Sequence, residues 1–145
     1  MMLAHPLCPC TRASLGELSL VMAKAQGRLD AFVLFLKPEG TGKDWEQGEL
    51  WRAAAAIPGV TVLRDEGGAQ AERFGAVTSG QVLFYDAGGT LRFSGGITAA
   101  RGHAGDNAGR AAVEALLGAD APPREGMAGH AVFGCALDDP RGSEP

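Results

Sequence analysis

What this 145-residue sequence lacks narrows its function before any motif is considered. It has no run of Lys or Arg and a net charge of −4, so nothing in it argues for a nucleic-acid partner. No stretch approaches the ~18–20 apolar residues that span a bilayer. No secretory leader is visible, because the opening residues run straight into a cysteine motif. There is no internal repeat and no low-complexity segment. There is no Ser-His-Asp elbow, no paired-carboxylate pattern and no Walker loop. The glycines of 101–109 do not follow a buried strand into a G-x-G-x-x-G turn, so no nucleotide is indicated and no cofactor is expected. Cysteine is scarce: Cys8, Cys10 and Cys135. An odd number, two of them one residue apart, is not a stapling framework and suits redox chemistry or metal binding better.

What is present is one ordinary domain. The hydrophobic fraction of 46% and the charged fraction of 21% are those of a globular chain able to bury a core. Leu15, Leu18, Val21, Met22 and Ala25 recur at helical spacing, predicting a helix over roughly 9–26 that stops at Gly27. Ser14 with Glu17 reads as a capping box that would start the regular helix later. Residues 31–36 are apolar on both faces and predict a central strand. Asp44 with Gln47 reads as a second capping box, opening a helix through about Ala56 in which Trp45 and Trp51 pack. Val60–Leu63 reads as a strand, Gly68–Phe74 as a short helix, and Val82–Tyr85 with Leu91–Ser94 as a hairpin around Asp86-Ala87-Gly88-Gly89. Asn107 is placed to cap a last helix over Ala108–Leu117. The order β-α-β-α-β-α-β-β-α predicts an α/β fold with a mixed central sheet and helices on both faces. Residues 1–118 form the expected domain and 119–145 an irregular tail that carries Cys135. Only four residues precede His5-Pro6, so the first strand is very short or the true start lies upstream, and compartment is not readable.

Cys8-Pro9-Cys10 at a strand-to-helix junction carries the chemistry. A helix start offers unpaired N–H groups and the positive end of a dipole, both of which favour thiolate over thiol. The thiolate is the nucleophile. Pro9 gives up an N–H that a first helical position does not need. In this reading Cys8 attacks and Cys10 resolves. A disulfide across one residue is tightly constrained, which points to oxidising or isomerising work.

The segment His5-Pro6-Leu7-Cys8-Pro9-Cys10-Thr11-Arg12-Ala13-Ser14-Leu15 resembles the active-site segment of the thioredoxin-like RedB family. The resemblance continues in Phe74-Gly75-Ala76-Val77-Thr78-Ser79-Gly80, Tyr85-Asp86, Phe93-Ser94-Gly95-Gly96-Ile97-Thr98, the run from Arg101 to Gly109, and Val132-Phe133-Gly134-Cys135. It implies a thioredoxin-like fold and a redox role. Members carry an upstream, often hydrophobic segment, which leaves membrane anchoring open for this chain. Thioredoxins place a cis-proline opposite the cysteines. Here Gly80 holds that place, and Thr78, Ser79 and Gly80 are expected to form the facing substrate loop.

The remaining candidates each have two readings. His103 is an acid/base for a leaving thiolate, or part of a loop in which Asp106 or Asn107 caps the next helix. Arg101 steers an anionic substrate group, or is simply solvated. His5, if charged, lowers the Cys8 pKa, or it caps the strand. Cys135 is a third redox partner, or a buried tail cysteine beside Val132 and Phe133. Thiol–disulfide exchange with a protein or small molecule bearing a thiol or disulfide is the leading function. The alternative is a Cu(I) or Zn(II) site on His5, Cys8 and Cys10, with His103 or Cys135 as further ligands. A peroxidatic role for Cys8 ranks last. A monomer is the default state.

Overall fold

The computed structural model describes residues 1–118 and 129–141; 119–128 and 142–145, parts of the expected tail, lie outside the described residues. The elements are β1 Met2–Ala4, α1 Pro9–Ala25, β2 Ala31–Lys37, α2 Glu49–Ala55, β3 Val60–Glu66, α3 Ala69–Arg73, β4 Gln81–Tyr85, β5 Leu91–Gly95 and α4 Ala108–Leu116. This is the expected order. The strands form one five-stranded sheet in the order β3-β2-β1-β4-β5, with β1, β2 and β3 parallel and β4 antiparallel to both β1 and β5. The chain is therefore a mixed-sheet α/β protein of thioredoxin-like arrangement. No helix among the described residues is long and apolar enough to cross a membrane.

β1 has three residues, and all of it is buried. Met2 and Ala4 face a core built with α1, α2 and α4, whereas Leu3 faces a second core with Leu34, Leu83, Ala71 and Leu137. Each large apolar side chain buried this way contributes about 1.5–3 kcal/mol, so packing rather than length fixes the strand. The strand's central place between β2 and β4 aims the next residues, His5 to Cys8, at the start of α1.

Both capping-box expectations fail. α1 begins at Pro9, with Cys8 as its extended N-cap. Ser14 and Glu17 are buried mid-helix and serve tertiary contacts instead. Glu17 accepts from the Gly105 N–H at 2.6 Å and pairs with Arg110 Nε at 2.9 Å. α2 begins at Glu49, not near Asp44, because 42–47 folds as turns that lead buried Glu46 to Arg64 at 2.5 Å. Trp45 therefore lies outside the helix and sits edge-on to His5, while Trp51 on α2 packs on Phe35 as expected. Asn107 caps α4 through the Arg110 N–H at 2.8 Å.

The described part of the tail returns across the molecule. His130 stacks on Phe93 and bridges to Gly95, Ala136 bridges antiparallel to Thr78, and Leu137 enters the second core.

Glu17 binds α1 to the start of α4 from a buried position. Glu17→Ala is expected to lower unfolding free energy by about 1.5–3 kcal/mol in urea titrations, because the Gly105 N–H and Arg110 Nε lose their buried acceptor while Arg110 keeps Asp106 and Glu114. A loss under ~1 kcal/mol, the scale of an exposed pair, would contradict that role.

Candidate active site

Three segments converge beyond the end of β1: the 5–11 junction, the 77–80 loop before β4, and the returning tail at 133–137. Cys8, Cys10 and Cys135 form a buried cluster of their own, with relative exposures of 0%, 5% and 0%. All three are free thiols.

Cys8 Sγ is the centre of the cluster. The Cys135 N–H donates to it at 3.2 Å. The Cys10 N–H at the helix start also faces it, with the Cys135 thiol and the Thr11 side chain close by. Burial pushes the Cys8 thiol up, but these donors outweigh burial and hold it below its ordinary value. Burial pushes Cys10 up, as do the charge of Cys8 and its bond to Cys8, while Arg101 and the Gly102 N–H oppose the shift. Cys135 is pushed up to about 12, first by burial, then by its bond to Cys8 and by the charges of Cys8 and Cys10, against Arg101. Cys8 is thus moved below its ordinary value, while burial first, and then the Cys8 charge, move its two neighbours above theirs.

Thr11 and Ser79 support this arrangement. Thr11 lies within the first turn of α1, fully buried, with its hydroxyl 3.2 Å from the His5 carbonyl and 2.9 Å from Ser79 Oγ. Ser79 Oγ accepts the His5 N–H at 2.8 Å. The loop at Gly80 is shaped by a φ of +95° and by Ser14, whose Oγ would stand 2.9 Å from any added Cβ. That is a specific demand for glycine, and every described peptide bond is trans.

The 78–80 loop lies beside the cysteines, as the sequence suggested, but its outer edge is already taken. The Ser79 N–H donates to the Cys135 carbonyl at 2.8 Å, and the Leu137 N–H donates to the Val77 carbonyl at 3.0 Å. Gly134 passes so close to the Ser79 carbonyl that no Cβ fits there. The tail therefore occupies the backbone on which a substrate was expected to dock.

His5 is a neutral strut rather than a charged neighbour. Its Nδ1 accepts the Leu7 N–H at 3.1 Å, which leaves the ring proton on Nε2, 2.7 Å from the Asp139 carbonyl. Burial lowers its pKa, against the pull of Asp139. With both nitrogens engaged, His5 offers no lone pair to a metal beside Cys8 and Cys10. Among the described residues no group of three His, Cys, Asp or Glu is arranged to hold a metal ion. His103 is exposed, with Nδ1 2.7 Å from the Arg101 carbonyl. Arg101 is half-buried and donates to the Gly134 carbonyl at 3.3 Å, which brings its charge to Cys10 and Cys135.

Two openings are relevant to access. A 320 Å³ groove bordered by Pro6, Leu7, Arg12, Glu49 and Leu50 has Cys8 in its lining. A more enclosed apolar cavity of 240 Å³ lies between α1, α4 and the sheet, lined by Leu18, Val21, Val82 and Val113, and holds neither cysteine nor histidine. Chemistry places the site at the first.

The place of Thr11 beside Cys8 was missed in the sequence, although its position one turn into a helix capped by Cys8 was visible. Also missed were Asp139 and the 136–137 pairing, which no local pattern signals. No protein-family model, curated protein or solved structure matches this chain.

Gly134→Ala is expected to lift the tail from Ser79. Alkylation of Cys8 should become faster, and stability should fall by about 1–3 kcal/mol, as for overpacking elsewhere. Unchanged alkylation of Cys8 would contradict the tail's role as its cover.

Proposed function

We propose that this chain performs thiol–disulfide exchange, with the Cys8 thiolate as the attacking group. The observation that carries this reading is the Cys8 sulfur at the α1 N-cap, accepting the Cys135 N–H at 3.2 Å beside two further thiols. A purely structural cysteine needs no such set of donors, because a neutral thiol is a weak acceptor. A thiolate needs them, since burying an unpaired charge is costly.

The step is a displacement. The Cys8 thiolate attacks one sulfur of a partner's disulfide, the Cys8–sulfur bond forms, the partner's sulfur–sulfur bond breaks, and the other partner sulfur leaves as a thiolate. A second thiol of the cluster then attacks Cys8, releases the partner's remaining thiolate and closes an internal disulfide. In sum, one protein thiolate and one protein thiol are oxidised to a disulfide, one partner disulfide is reduced, the resolving thiol's proton passes to one departing sulfur, and the other is protonated from solvent. Arg101 is the cation of the site, favouring the thiolate forms of Cys10 and Cys135. The groove beside Leu7 and Arg12 is the approach that leaves the tail in place. The resemblance of 5–15 to the RedB active-site segment agrees with this reading and gives no substrate beyond the thiol or disulfide class.

Reduction of glutathione disulfide by the reduced chain tests it. Cys8→Ser is expected to abolish the reaction, a loss of ~10²-fold or more. His103→Ala should change it by less than about threefold, since that imidazole lies on the Arg101 carbonyl. Full activity in Cys8→Ser would overturn the assignment.

A further inference from the structure

We infer that the cysteine which resolves the Cys8 mixed disulfide is Cys135 of the returning tail, not Cys10 of the Cys-Pro-Cys motif. This rests on the exchange reading above and names the second thiol of that reaction.

Geometry separates the two candidates. Cys10 is two residues beyond Cys8, inside the first turn of α1, while Cys8 is its extended N-cap. Side chains two positions apart on a helix do not face each other, and cysteines whose Cβ vectors diverge cannot be bridged without backbone movement. Joining Cys8 to Cys10 would require unwinding the turn whose Cys10 N–H stabilises the Cys8 sulfur. Cys10 feels the Cys8 sulfur from within the same turn, and the Gly102 N–H is a further partner of its own.

Cys135 comes from a separate segment, and its backbone is aimed at Cys8. Its N–H lies on Cys8 Sγ at 3.2 Å, and its carbonyl is held by the Ser79 N–H at 2.8 Å. Ala136 is bridged to Thr78, and Gly134 allows the approach by lying flat against the Ser79 carbonyl. The Cys135 side chain lies in the same buried cluster as Cys8, carried on the residue whose N–H already contacts Cys8 Sγ.

The same contact sets the order of events. While Cys8 is a thiolate, its charge and its hydrogen bond are among the causes that keep Cys135 protonated. When Cys8 is bound to a partner sulfur, that charge is gone, whereas the opposing charge of Arg101 remains. Cys135 then becomes easier to ionise, as does Cys10, and of the two it is Cys135 that comes from a separate segment whose N–H lies on Cys8 Sγ. It loses its proton, bonds to Cys8 and expels the partner's thiolate, which takes up a proton. Cys10 keeps its thiol throughout.

Disulfide mapping tests the assignment on the full chain. The protein is equilibrated with reduced and oxidised glutathione, quenched in acid, alkylated and cut with trypsin. Cleavage after Arg12, Arg124 and Arg141 puts Cys8 and Cys10 in peptide 1–12 and Cys135 in peptide 125–141. The expected product is 1–12 joined to 125–141 with Cys10 alkylated. A closed loop within 1–12 with alkylated Cys135 overturns the inference and leaves the exchange reading standing. Alkylation of all three cysteines at every glutathione ratio overturns both. Variants give a second readout that survives any loss of stability. Cys135→Ser should accumulate the Cys8–glutathione mixed disulfide, while Cys10→Ser should not and should still form the cross-link. The reverse pattern overturns the inference.

Discussion

The hydrogen bond from the Cys135 N–H to Cys8 Sγ is the contact around which the rest of the site is arranged. It joins two residues 127 positions apart, and neither end is placed by accident. Cys8 is delivered by a three-residue strand buried on both faces, which makes the next residues cross to the α1 N-terminus. Cys135 is delivered by a tail anchored at several separate points: the His130 stack on Phe93, the pairing of 135–137 with 77–79, the Leu137 side chain in the second core, and the Asp139 carbonyl on His5. Glycines at 96 and 134 let backbone lie against backbone along this route, since a Cβ at either would meet a main-chain carbonyl.

Burial and polarity pull against each other at this sulfur. A fully buried thiol should resist ionisation, and burial is indeed the largest influence on Cys8. The direction is reversed because donors reach the sulfur from both the helix start and the tail. Hydrogen bonds to a charged group are each worth about 1.5–3 kcal/mol, so several together can exceed the burial cost. Cys10 and Cys135 lack such a set and move the other way. The three cysteines, close in space, thus have different chemistry because of which backbone N–H groups face them. Thr11 and Ser79 extend the network one layer out, fixing the His5 backbone that precedes the turn.

Much of the fold was legible because it is written in local patterns. The apolar run at 31–36, the Asp86–Gly89 turn and the Asn107 cap all lie where the structure has β2, the hairpin and α4. The two capping boxes misled because their carboxyl groups answer to distant partners: Glu17 to Gly105 and Arg110, and the turns at 42–47 to the Glu46–Arg64 pair. At the site, Cys8 at a helix start could be read from Pro9 and the strand before it. Cys135 could be noticed but not placed, because its position depends on pairing between residues nearly sixty apart in sequence. His5 was left with two readings for a related reason. Its two ring partners, a local N–H and a tail carbonyl, leave it neutral. The 78–80 loop does lie beside the cysteines, yet nothing local says that the tail already lies on it.

The central claim is that Cys8 is the one sulfur held as thiolate. A pH titration of ultraviolet thiolate absorbance on the reduced full chain, repeated on Cys8→Ser, tests this most directly. A lowered Cys8 pKa means that its thiolate forms before pH reaches the ordinary cysteine value of about 8.5 and is lost only on acidification below that lowered value. The account predicts one early thiolate in the parent chain, absent from Cys8→Ser, with the other two ionising only at higher pH. An early thiolate that persists in Cys8→Ser, or three thiols titrating together near the ordinary value, would contradict it.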